Sequence, residues 1–232
     1  MKIYYDNEYT EELQRRIYEK FMEDAQDRTK VHLSDLCHCP VKCWCRLSGI
    51  EPTPPNDVGV GVMMIGVIGQ GIIQSVYPEE WSEWEPDKDK PEEEQIPSHI
   101  DIFVQEEGSV FPVEIKWSRK NIYRGSDIPV PWILQTTGYM ARTGCTEGKF
   151  VVFNVMNGTL TAFKVLMTEE ELVNRNKQLE NLRKDILTAV ENGDPSNLEP
   201  NYDECRYCPY VENRRRKKLG LGSGCPFSNR KK

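Results

Sequence analysis

The opening stretch, MKIYYDNEYTEELQ, lacks the apolar core that a secretion signal needs. Charge is missing over one long run only, residues 58–77. Such a run is long enough to suggest a membrane span. Five glycines, two glutamines and a serine interrupt it, so it reads as a buried helix rather than a span. Mean hydropathy is −0.63 and 38% of the 232 residues are hydrophobic, as in a soluble globular protein with an adequate core. Internal repeats are absent.

Positive charge is also short overall. The net charge of −7 by itself argues against nucleic acid as a partner. Its distribution argues the other way. Residues 205–232 hold nine Lys/Arg against one acid, Glu212, a net +8 that leaves −15 on the rest. A basic tail on an acidic body suggests a local polyanion contact. The plain alternative is a solvated terminus, preferred for the last three residues. Eight cysteines without a secretion signal suit a reducing, cytoplasmic setting. Clustered cysteines there are metal ligands more often than disulfides.

Along the chain, residues 9–28 read as a helix with Leu13, Ile17 and Phe21 on one stripe. The cluster CHCPVKCWC (37–45) and a proline-rich link (51–57) precede the uncharged run. Residues 79–94 carry nine acids and read as an exposed loop. HIDIFV and SVFPVEIKW are strands, and residues 131–142 a helix. Two further strands flank Asn157-Gly158, a hairpin signal. Thr168 and Glu171 form a capping box opening a helix with Leu172, Leu179, Leu182, Ile186 and Val190, which Gly193 ends. The expected fold class is α/β: a mixed central sheet flanked by helices, with a cysteine-bearing cap.

The strand SVFPVEIKW mixes core and charge. Alternation puts Val113, Ile115 and Trp117 on one face and Glu114 and Lys116 on the other. In the preceding strand Ile100 and Ile102 share a face, and Asp101 points the opposite way with Phe103. A two-residue turn at Glu107-Gly108 would set Asp101 directly across from Glu114. Like charges there destabilise a sheet unless a cation lies between them. Oxygen ligands suit Mg²⁺ or Mn²⁺, which would polarise a phosphoryl oxygen and acidify a water. Lys116 would orient that water or stabilise phosphate charge. Pro112 removes a ladder donor and marks an edge or bulge. An isolated E-x-K is by itself an ordinary surface pattern.

The combination Asp101-x12-Glu114-x-Lys116, then Gln135-x3-Tyr139 on the next helix, resembles the PD-(D/E)XK nuclease superfamily. Within it, the similarity is to the RecB-like, CRISPR-associated exonuclease branch. The resemblance implies one restriction-endonuclease-like nuclease domain over residues 1–232, with its core at about 58–193. It implies a metal-dependent DNA nuclease acting on single-stranded or end-bearing DNA, without membrane association. CRISPR adaptation proteins would be its partners. Asp101, Glu114 and the Ile115 carbonyl would bind the metal, and Lys116 would be the catalytic lysine. Gln135, Tyr139 and Arg142, on one helical face, would contact DNA or support the site.

Cys205-x2-Cys208 followed by Cys225 supplies three ligands, and the 37–45 cluster offers a fourth. Spacing alone admits both zinc and an iron–sulfur cluster. The resemblance favours iron–sulfur, 4Fe–4S over 2Fe–2S, in a cap formed by about 31–45 and 200–232. Ser34, Leu36, Cys39 and Pro40 match the family's N-terminal signature. The implied ligands are Cys39, Cys205, Cys208 and Cys225, with Cys37 the nearest rival and Cys43, Cys45 and Cys145 small hydrophobes. The loop NRRRKK (213–218) would bring Arg214, Arg215 and Arg216 to a phosphate backbone. One departure stands out. Where the family has Gly-x3-His, this chain has Gly66-x3-Gln70. Gln70 would ligate the metal directly or through water, with less preference for softer ions. Alternatively, catalysis is weakened and a DNA-binding or adaptor role remains.

Overall fold

The computed structural model describes residues 29–228 except 56 and 107, together with positions 8, 12, 13, 15–17 and 19, which are helical. Phe21 and the basic residues 230–232 lie outside the described residues. The helices are α1 (Leu33–Cys37), α2 (Pro40–Leu47), α3 (Asp57–Gln74), α4 (Val130–Thr143), α5 (Glu169–Asn192) and α6 (Arg214–Lys218). The strands are β1 (Ser82–Trp84), β2 (Ile100–Glu106), β3 (Ser109–Ser118), β4 (Glu147–Asn154) and β5 (Leu160–Leu166). Residues 79–94 are therefore not simply an exposed loop. They include β1, and Asp87 within them is buried.

The strands form one mixed sheet in the order β1-β2-β3-β4-β5. All neighbours are antiparallel except β3 and β4, which run parallel and need the α4 crossover between them. The β2–β3 ladder runs from Glu106↔Ser109 to Ile102↔Val113, the register expected of a two-residue turn. Gly108, at φ +79°, supplies the left-handed residue of that turn. Carried one step further, this register sets Asp101 opposite Glu114. At Val113, β3 changes partners: it pairs with β2 up to that residue and with β4 from it to Ser118. Pro112 falls in the stretch bonded to β2 alone, where a missing N–H is tolerated.

Each sheet face meets helices. Ile102, Val104, Val113 and Ile115 pack with Ile73 and Tyr77, on the side that α3 covers. The opposite face is covered by α4, with α5 and α1 packed on α4 and α2 on α5. Leu33, Leu36, Tyr139, Leu179 and Ile186 join the large cluster there. Burying each of its aliphatic side chains contributes about 1.5–3 kcal/mol. Ile100 and Ile102 do not share a cluster as alternation implied. Ile100 joins this larger core with Phe103, and Ile102 joins the α3 side. The break faces Glu83 of β1, whose φ is +50°.

The uncharged helix is half buried rather than buried. A Cβ at Gly69 would lie 1.7 Å from the Trp117 ring, so glycine there lets β3 and α3 approach. The outer side of α3 has no covering layer among the described residues. Ile65, Ile68 and Ile72 are exposed there, although no helix among those residues is long and apolar enough to cross a membrane. The Thr168–Glu171 capping box forms, and Gly193 caps α5 at φ +65°. Asn157-Gly158 closes a longer turn than a two-residue hairpin: Asn154 N–H donates to the Thr159 carbonyl, and residues 155–158 loop out between them.

Candidate active site

Glu114 and Lys116 leave β3 where it changes partners, on the face opposite Val113 and Ile115. Glu114 is 3% exposed, unusual for a carboxylate. Its Oε1 accepts from Lys116 Nζ, and its Oε2 is buried with no hydrogen-bond partner. Lys116 Nζ also donates to Gln135 Oε1 at 2.8 Å. Gln135 Nε2 donates to Tyr139 Oη at 2.9 Å, and Tyr139 Oη donates to the His99 carbonyl at 2.8 Å. One relay of side chains thus runs from β3 through α4 to the start of β2. Gln135 and Tyr139 sit one turn apart on α4, and both are buried. They hold the site from behind rather than offering a surface to DNA.

Asp101 faces the same point. Its Oδ2 accepts the Ile115 backbone N–H at 2.6 Å, and its Oδ1 accepts from Gln70 Nε2 at 3.0 Å. Burial raises the Asp101 carboxyl well above the usual range, and the Glu114 charge adds to it. Burial likewise raises Glu114, with Lys116 opposing the rise and Glu83 reinforcing it. Two acids that repel each other, one of them buried, favour capture of a proton or a cation.

Gln70 thus reaches the site. The same Nε2 donates to Glu83 Oε1 at 2.7 Å, and Gln74 Nε2, one turn on, donates to Glu83 Oε1 and the Asp101 carbonyl, both at 2.8 Å. Glu83 is a site residue that sequence reading missed. It lies among nine acids in residues 79–94, and only its place in β1 distinguishes it. Among the described residues no three His, Cys, Asp or Glu side chains form a ready-made metal-holding group. The orphaned, buried Glu114 Oε2 and the repelling acids are nevertheless a donor set suited to a hard divalent ion.

The cysteines from the two ends of the chain come together. Asn201 N–H donates to Cys39 Sγ at 3.3 Å, and Cys39 begins α2. Burial raises the Cys205 and Cys208 thiols, and Cys39 and Cys225 add to the rise in both. Cys45, expected to be a small hydrophobe, belongs to this group. Its thiol is raised by its hydrogen bond to Cys225 and by burial, and Cys225 is lowered in return. Cys37 turns elsewhere: its Sγ accepts from Arg175 at 3.7 Å, and Glu114 and Lys116 act on it. Thiolates are the donor type of zinc and iron–sulfur sites, but among the described residues no three of these thiols form a ready-made site.

Two expected DNA contacts are structural instead. Arg142 is buried, held by Asp87 Oδ2 at 2.5 Å, Asn176 Oδ1 at 2.9 Å and the Glu94 carbonyl at 3.2 Å. Arg216 is 1% exposed and donates to the carbonyls of Glu51 (2.6 Å), Gly222 (2.8 Å) and Ser223 (3.3 Å). Arg142 neutralises a carboxylate that the fold buries with it, and Arg216 ties together backbone carbonyls of three exposed residues. NRRRKK is the short helix α6 rather than a loop, and Arg214, Arg215, Lys217 and Lys218 remain on its exposed side. Arg215 also donates to the Pro55 carbonyl at 3.0 Å.

No protein-family model matches the chain, and no curated protein does. Among solved structures the chain is similar to the crystal structure of SSO0001, with a TM-score of 0.57 and 15% identity. The likeness covers 89% of this chain and 96% of that one. At that identity the likeness is one of fold: a five-stranded mixed α/β sheet packed with helices.

Proposed function

We propose that this protein is a divalent-ion-dependent DNA nuclease of the RecB-like type, acting on single-stranded or end-bearing DNA. The observation that carries the reading is Glu114, a carboxylate with an unpartnered buried oxygen, at the point where β3 exchanges β2 for β4. Asp101, Glu114 and the Ile115 carbonyl would hold Mg²⁺ or Mn²⁺, with Gln70 beside them. When bound, such an ion supplies Lewis-acid polarisation of the scissile phosphate. Lys116, held by Glu114 and Gln135, donates its remaining hydrogen to the attacking water or to a phosphate oxygen. Water would add to phosphorus, losing a proton to solvent, as the P–O bond to the leaving oxygen breaks and that oxygen takes up a proton from solvent. Exposed cations of α6 would track the DNA backbone.

The cap reading extends this proposal. Cys39, Cys205, Cys208 and Cys225 would hold an iron–sulfur cluster, 4Fe–4S in preference to 2Fe–2S, with Cys45 against Cys225. A role beside CRISPR adaptation proteins follows from the family resemblance alone. The second reading is a catalytically weak DNA-binding or adaptor subunit. Gln70 favours it, because its amide donors rather than an imidazole face Asp101.

Incubation of end-labelled single-stranded DNA with the protein and Mg²⁺ or Mn²⁺ tests the pair. Ion-dependent shortening supports the nuclease, and retention of intact DNA in a stable complex supports the adaptor. Anaerobic purification tests the cap: a brown protein containing iron and sulfide is expected, and a colourless zinc protein would overturn the cluster.

A further inference from the structure

We infer that Glu83 is a third carboxylate of the divalent-ion site, with Gln70 as the element that closes it; this rests on the nuclease reading of Asp101 and Glu114. Gln70 Nε2 spans Asp101 Oδ1 at 3.0 Å and Glu83 Oε1 at 2.7 Å. Its amide donors occupy the space between two carboxylates, where a cation would compensate the same charges. Gln74, one turn further along α3, holds Glu83 Oε1 at 2.8 Å from the same side. Glu114, 3% exposed and with a buried unpartnered oxygen, is near enough that its charge acts on Asp101 and the Glu83 charge acts on it. Among the described residues Glu83 is the one non-glycine with positive φ, at +50°.

A half-turn of the Gln70 amide exchanges its NH₂ for its carbonyl oxygen. Asp101, Glu83 and Gln70 would then present three oxygens to one point, with Glu114 beside them. The imidazole of the family pattern would thus be replaced by a carboxylate entering from β1, and the ligand set would consist of oxygen alone. Oxygen-only sets suit hard ions held by charge, so removing the Glu83 charge should weaken ion capture directly.

Titration of the full chain with Mn²⁺ alone, free Mn²⁺ being counted by electron paramagnetic resonance, tests this without DNA. Glu83→Gln should raise the Mn²⁺ dissociation constant at least tenfold, and Glu79→Gln, outside the group, should leave it unchanged. Glu83→Gly relieves the positive φ and should lose Mn²⁺ equally while unfolding no earlier than wild type, which separates ligand loss from misfolding. Wild-type affinity in both Glu83 variants, with affinity lost in Asp101→Asn, would overturn the role of Glu83 and leave the nuclease site standing. Wild-type affinity in Asp101→Asn would remove the site itself, and this inference with it.

Discussion

Lys116 Nζ on β3 donates to Gln135 Oε1 on α4 at 2.8 Å, and the same ammonium is held by Glu114. The position of the lysine is thus set from two elements, the alternation of β3 and one turn of α4. Substituting Gln135→Leu removes the α4 hold on Lys116 and, with it, the amide donor to Tyr139 Oη. A hydrogen bond to a charged group is worth about 1.5–3 kcal/mol. DNA cleavage should therefore fall about 10- to 100-fold with little change in DNA affinity. Single-turnover rates and binding isotherms on the same substrate check this.

Arg142 and Asp87 form a buried pair, with side chains 2% and 4% exposed. Arg142→Ala leaves the buried Asp87 with only the partly exposed Lys90 as counter-charge and should destabilise the fold by about 3 kcal/mol. Its residual folded fraction should bind DNA as wild type does. Urea unfolding and a fluorescence binding assay separate these effects.

Asp87 also predicts a pH dependence. Burial pushes its carboxyl up, but hydrogen bonds from Lys90, Arg142 and the Ile96 backbone N–H overcome this and hold it below its ordinary value. A carboxyl lower in the folded state contributes stability that is full above its unfolded value, about 3.9. That contribution is lost as pH falls through the folded value. Urea unfolding of wild type between pH 7 and pH 3 should show stability falling below about pH 4. Asp87→Asn should be weaker at pH 7 and show a flatter acid limb.

Gly69 and Gly71 lie two residues apart on α3 with opposite expectations. A Cβ at Gly69 meets Trp117 at 1.7 Å, whereas one at Gly71 meets nothing within 4 Å. Gly69→Ala should destabilise by about 1–3 kcal/mol through overpacking. Gly71→Ala should stabilise by about 0.5–1 kcal/mol, the helix-propensity gain of alanine over glycine. Thermal unfolding of the two variants, and of Gly69→Ala with Trp117→Leu as a partial rescue, checks the packing of β3 on α3.

The basic helix α6 divides by burial. Arg216→Ala deprives the carbonyls of Glu51, Gly222 and Ser223 of their donor and should cost at least about 2 kcal/mol of stability. Arg214→Glu with Lys217→Glu should leave stability unchanged and weaken DNA binding. Two lost phosphate contacts should flatten the salt dependence on single strands by about 1.4 in log–log slope. Binding measured across a salt series distinguishes the two variants.

Much of the fold was legible because hydrophobic period and turn chemistry agreed. Glu107-Gly108 set the β2–β3 register, and Thr168, Glu171 and Gly193 marked both ends of α5. Asp101 and Glu114 followed from the turn and Lys116 from strand alternation, whereas Gln70, Gln135 and Tyr139 were implied only by the resemblance; the structure brings all six together. Other residues resisted for physical reasons. Glu83 belongs to an acid-rich stretch where no period separates a site carboxylate from a solvated one. Arg142 and Arg216 carry a side chain that is mostly exposed, so composition favours a surface role until partners such as Asp87 are seen. Cys37 ends α1 and Cys45 lies within α2, both in the same short cluster as Cys39, and only the direction each thiol takes separates them.

Cleavage and binding of one labelled single-stranded DNA, followed together in Mn²⁺ for wild type, Glu114→Gln and Lys116→Met, test the active-site assignment most directly. Wild type should cut, and both variants should bind the DNA while cutting at least about 100-fold more slowly, the loss of ~2.7 kcal/mol of transition-state stabilisation. Cutting by Glu114→Gln at the wild-type rate would contradict the assignment of the buried carboxylate on β3 as the centre of the site.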